Sequence, residues 1–86
     1  MEVMMPSFWL SFCDPELPTG EQFLGCAIID ADNFVCAVRR AHELGINPGG
    51  EVAGGDLVPG HPYTTEHKNR LFATREEAER LASLNA

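Results

Sequence analysis

The stretch that decides the fold runs from Ile29 to Pro48, IDADNFVCAVRRAHELGINP. Within it Phe34, Ala37, Val38, Ala41 and Leu44 recur at the 3.6-residue spacing of a helix with one apolar face, while Cys36, Arg39, Arg40 and Glu43 point away from that face. Taking Asp30 as the N-cap places Ile29 and Phe34 at the two positions of a hydrophobic staple. Asp32 then falls in the first turn, where a carboxylate complements the helix dipole, and Arg39 and Arg40 lie toward the end that favours cations. Gly45 suits the left-handed position just past the helix, Ile46 reaches back to Ala41, and Pro48 prevents the helix from resuming.

Working outward toward the N-terminus, Gln22–Ile29 (QFLGCAII) and Ser7–Cys13 (SFWLSFC) are two strands. Between them Asp14-Pro15-Glu16-Leu17-Pro18-Thr19-Gly20 is a turn, so the strands pair as an antiparallel hairpin. Alternation puts Phe8, Leu10, Phe12 and Phe23 on one face, with Trp9, Leu24, Cys26 and Ile28 on the other. Both faces are apolar, and a sheet with two apolar faces needs two covers. Toward the C-terminus, Asn47-Pro48-Gly49-Gly50 is a turn and Glu51–Val58 a third strand. Its Gly54-Gly55 pair marks a bulge or a close backbone approach. Residues 59–72 are irregular, with room for a helical turn after Tyr63 and an apolar anchor at Leu71-Phe72. Thr74-Arg75-Glu76-Glu77 is a capping box that opens a last helix to about Leu84, in which Glu76 and Arg80 form an i,i+4 pair.

The order is β-β-α-β-α, a small single α+β domain over 1–86 with residues 1–6 and 85–86 frayed. A helical crossover makes the second and third strands run parallel. The long helix covers one sheet face; the other falls to the short helix or to a second copy of the chain. A homo-oligomer is therefore expected.

Composition narrows the class. The 86 residues are 44% apolar, ordinary for a globular chain, and carry a net charge of −7. Every Lys and Arg lies at or after Arg39, leaving the first strands purely acidic. A field of that sign repels phosphate backbones, which argues against a general nucleic-acid binder. No apolar run reaches the roughly 18 residues a membrane span needs, and Met1-Glu2-Val3-Met4-Met5-Pro6 has none of the pattern of a signal peptide. Cys13, Cys26 and Cys36 are odd in number and lack CxxC spacing, so they are expected to be reduced core thiols of a cytoplasmic protein.

Few residues suggest chemistry. Gly49, Gly50, Gly54 and Gly55 follow a helix rather than precede one and match no phosphate-loop motif; they suit turns, or a backbone that lets a ligand approach. His42, His61 and His67 lack the paired spacing of a zinc site, so no metal and no cofactor are expected. Cys13-Asp14 with His61 or His67 is the one constellation for a thiol-dependent enzyme. The more suggestive set is basic: Arg39 and Arg40, with Lys68, Arg70 and Arg75, converging near the glycines and beside Tyr63, would hold a small anionic, nucleotide-like ligand.

The runs SFWLSF, QFLGCAIID, AVRRAHELGINPGGEV and NRLFATREEAE together resemble a set of short uncharacterised proteins from bacteria and their phages. The resemblance covers about Phe8 to Glu79 and is most specific at Glu43–Val52, ELGINPGGEV. It implies a shared small fold and brings no activity and no catalytic residues.

The function expected is that of an acidic, non-enzymatic binding protein, of phage counter-defence or regulatory type. It would sequester a small anionic ligand or block a protein partner. The alternatives are an oligomeric assembly module and a small thiol-dependent enzyme.

Overall fold

The computed structural model describes residues 5–84. Along the chain come β1 (Ser7–Cys13), β2 (Phe23–Asp30), α1 (Phe34–Glu43), β3 (Glu51–Asp56), a 3-10 turn at Thr65–His67 and α2 (Arg75–Ser83). The fold is α+β in the expected β-β-α-β-α order. The sheet order is β2-β1-β3, with β1 central and antiparallel to both neighbours. β2 and β3 thus run parallel, as a helical crossover requires, but β1 lies between them. The expected fraying at 1–6 and 85–86 falls on 1–4 and 85–86 outside the described residues; Pro6 is anchored, its carbonyl accepting from Ala31 N–H at 3.0 Å.

One sheet face carries Phe8, Leu10, Phe12, Ala27 and Ile29, packed under Ala37 and Ala41 of α1. Alanines at the contact let the helix approach closely, and Phe34 meets Phe8 edge to face with centroids 6.3 Å apart. The opposite face carries Cys26 and Ile28 with Trp9 and Phe23, covered by Tyr63, Phe72, Ala78 and Leu81. The chain supplies its own second cover from α2 and the segment before it. The reason for expecting a second copy, an uncovered apolar face, therefore does not hold.

Two details of the expected arrangement are corrected. First, the face assignment of Phe23 and Leu24 is reversed. The β1–β2 register runs evenly from Ser7↔Asp30 to Phe12↔Gly25, then shifts so that Cys13 faces Phe23. That extra residue inverts the alternation, sending Leu24 to the α1 side and Phe23 to the other. Gly25, at φ +145°, lies at the shift, where a Cβ would meet Leu71 Cδ1 at 2.6 Å.

Second, α1 is capped by Asn33 and not by Asp30. Asn33 has extended backbone and its side chain accepts from Cys36 N–H at 2.9 Å. Asp30 instead ends β2, Ile29 is a strand residue rather than half of a staple, and Asp32 precedes the cap rather than lying in the first turn. The C-terminal stop is as expected: Gly45 at φ +75° donates to His42 C=O, and Ile46 donates to Ala41 C=O, each at 3.0 Å.

The other elements follow the sequence closely. β3 stops at Asp56 rather than Val58, and its pairing with β1 is unbroken from Phe8↔Asp56 to Cys13↔Glu51. Gly54 is therefore a point of close approach, not a bulge: a Cβ there would collide with the Trp9 carbonyl oxygen. Thr74 caps α2 by accepting from Glu77 N–H at 3.1 Å.

Candidate functional site

Three strand ends meet at one end of the sheet. Ser7 opens β1, Asp30 closes β2 and Asp56 closes β3, and the pairing sets Ser7 opposite Asp30 and Phe8 opposite Asp56. The loop from Leu57 to Tyr63 rises beside them. Between loop and strand ends lies an open cleft of about 830 Å³, walled by Met5, Pro6, Leu57, Pro59 and Tyr63 and carrying Ser7, Asp30, Asp56, His61 and Lys68. Its volume is within the range of small-molecule sites.

Its polar groups form a defined network. Ser7 is buried and its hydroxyl donates to Asp30 Oδ1. Lys68 Nζ lies 3.2 Å from both Asp30 oxygens. The Lys68 side chain is only 16% exposed, a depth a lysine reaches when it is paired. This pair ties the segment after β3 to the end of β2, and Asn69 N–H extends the tie to Ile28 C=O at 3.0 Å. Asp56 makes no ion pair among the described residues. His61 Nδ1 accepts from Tyr63 N–H at 3.2 Å, which fixes the ring, and the two rings stand 5.6 Å apart.

The residues singled out from the sequence are distributed otherwise. Arg39 and Arg40 border a shallow hollow of about 200 Å³ on the α1 side, among Asp30, Asp32 and Glu43. Arg70 lies on the opposite side of the sheet, its guanidinium 4.9 Å from the Phe72 ring centroid and facing a hollow shared with His67, Glu77 and Arg80. Arg75 is the exposed first residue of α2. Because α1 and α2 cover different faces, Arg70 and Arg75 do not converge with Arg39 and Arg40, while Lys68 reaches Asp30, which borders both the cleft and the Arg39–Arg40 hollow. Gly50 abuts the Cys13 carbonyl, Gly54 abuts the Trp9 carbonyl, and no atom lies close to the Cβ position of Gly49 or Gly55. Tyr63 is core: it is buried and its hydroxyl donates to Leu81 C=O at 3.1 Å.

The three thiols lie apart from the histidines' hydrogen bonds among the described residues. Cys26 is buried, and desolvation, with Glu77 adding to it, pushes its pKa up to about 11, which leaves the protonated, unreactive form at neutral pH. Cys13 and Cys36 are half-buried, and among the described residues no hydrogen bond joins a cysteine to a histidine. No helix is long and apolar enough to cross a membrane among those residues, and no group of three His, Cys, Asp or Glu there is placed to hold a metal ion.

Ser7, Asp30, Asp56 and Lys68 thus form the cleft that sequence reasoning did not single out as a unit. Only the hairpin register, which aligns Ser7 with Asp30, carries a trace of it. No family model matches this chain, and no curated protein or solved structure matches it.

Proposed function

We propose that this chain is a small, non-enzymatic binding protein that sequesters a small molecule in the cleft at the strand ends, the ligand presenting an amine to it. The observation that carries this reading is the charge of the cleft among the described residues: two carboxylates, Asp30 and Asp56, against a single cation, Lys68, which Asp30 already holds. Among those residues an anionic ligand would find no free positive charge. An ammonium group gains from Asp56 and from the field of a chain whose net charge is −7. The ring of His61 and the apolar walls of Leu57 and Pro59 suit the body of such a ligand. A regulatory or counter-defence role would follow from removing that molecule from solution.

A thermal-shift panel of spermidine, putrescine and tyramine against AMP and inorganic phosphate tests the proposal. The amines should raise the melting temperature in a concentration-dependent way, and Asp56→Asn should weaken the effect. Stabilisation by AMP or phosphate with none by the amines would overturn it and restore the anionic reading.

A further inference from the structure

The two edges of the sheet are finished differently. The outer edge of β2 is occupied: Cys26 and Phe72 exchange both peptide hydrogen bonds, at 3.0 and 2.8 Å, and Asn69 donates to Ile28. Among the described residues β3 pairs with β1 alone, and five of its six residues are exposed. Which of its peptide groups are free follows from the register. Leu57 N–H donates to Ser7 C=O at 2.8 Å, so in the alternation of an antiparallel ladder Glu51, Ala53 and Gly55 face β1. Val52, Gly54 and Asp56 turn their N–H and C=O groups outward, a row of donors and acceptors that a further strand would satisfy.

We propose that this edge captures an extended segment of a protein partner as a fourth strand, and that the segment carries Lys or Arg toward each end. The charge pattern selects this occupant. Glu51 and Asp56 bracket the strand, and neither makes an ion pair among the described residues. Between them Ala53, Gly54 and Gly55 present almost no side chain, so the facing side chains of an added strand meet no obstruction. A second copy of this chain is a poor occupant. Two-fold antiparallel pairing would set the Glu51 end of each copy against the Asp56 end of the other, gathering four carboxylates along one seam, and both molecules carry a charge of −7. The same acidic ends that discourage self-association favour a basic segment. Backbone pairing supplies the attraction and the bracketing charges supply the choice of partner. Asp56 also borders the cleft, whereas Glu51 lies at the other end of β3 and does not, so a change at Glu51 tests this edge apart from the cleft ligand.

The test uses the full chain, labelled with nitrogen-15, and three synthetic six-residue probes. One is acetyl-Lys-Val-Thr-Val-Thr-Lys-amide, whose two lysines point to opposite faces as Glu51 and Asp56 do. The second has Glu at both ends, and the third is the lysine peptide N-methylated at every valine and threonine. The lysine peptide should shift the amide resonances of Val52, Gly54 and Asp56 and bind about tenfold more tightly than the glutamate peptide, as two exposed ion pairs would give. The N-methylated peptide should not bind. Glu51→Gln, a surface change outside the cleft, should narrow the preference between the first two peptides. Shifts centred away from β3, equal binding of the lysine and glutamate peptides, retained binding of the N-methylated peptide, or no binding of the lysine peptide would each overturn the proposal.

Discussion

Asp30 and Asn33 stand three residues apart and hold different parts of the molecule. Asn33 satisfies the first turn of α1 through Cys36 N–H, while Asp30 gathers Ser7 and Lys68 at the strand ends. Their substitutions should therefore separate. Asn33→Ala is expected to cost about 1 kcal/mol in urea unfolding, the ordinary value of a lost cap. Asp30→Asn leaves the cap intact and removes the charge that holds Lys68, a partly buried donor, at an expected cost of about 1–3 kcal/mol. The double variant Asp30→Asn with Lys68→Met should recover part of that loss, because no unpaired ammonium remains. No recovery would mean that the pair is not what Asp30 contributes.

At the scale of elements, the end of α1 was legible and its beginning was not, for a physical reason. A left-handed residue followed by an apolar one and a proline has few solutions, and Gly45-Ile46 with Pro48 satisfies them all. The start offers Asp30, Asp32 and Asn33, any of which has a side chain able to cap. The choice among them is made by how far β2 extends, and that depends on pairing with β1. Gly45→Ala should accordingly cost about 1–2 kcal/mol, the penalty for a side chain in the left-handed region, with the loss read from the unfolding midpoint. The strands were legible for another reason: SFWLSFC and the run before Asp30 are short apolar segments, the first rich in aromatics, on either side of the turn residues Asp14–Gly20. The shift at Gly25 was not, since one glycine in a strand does not announce an extra residue, and the faces of Phe23 and Leu24 followed it. The cleft was least legible of all. Its polar residues come from three strand ends and the segment after β3, and each is unremarked in its own neighbourhood; Lys68 acquires its meaning only beside Asp30.

At the scale of the whole molecule, both faces of the sheet are covered from within the chain, and β3 discourages pairing with its own kind. Light scattering should accordingly return the mass of one chain, 9.4 kDa. A mass of two chains or more at micromolar concentration would show that another surface joins them. The second face also sets a dependence on alkaline pH. Burial raises the pKa of Cys26 from 9.0 to about 11 and that of Tyr63 above 10.0. The folded chain thus keeps protons that the unfolded chain has already released. Stability should be fully present below about pH 9 and fall as pH rises from about 9 to 11, Cys26 alone accounting for roughly 2–3 kcal/mol. Chemical unfolding at stepped pH checks the slope, and Cys26→Ala should flatten it even though it lowers stability overall.

The central position of β1 has a consequence in time. β1 is made before the elements that pack on it: β2 on one side, β3 on the other, α1 above, and Tyr63 below against Trp9. Synthesis from the N-terminus therefore delivers the most apolar strands while their covers are still unmade. A nascent chain halted before Leu57 holds a hairpin bare on the side of Trp9, Cys26 and Ile28, the kind of surface that chaperones recognise and that aggregates form through. A strand made before its neighbours is thus enclosed only after them.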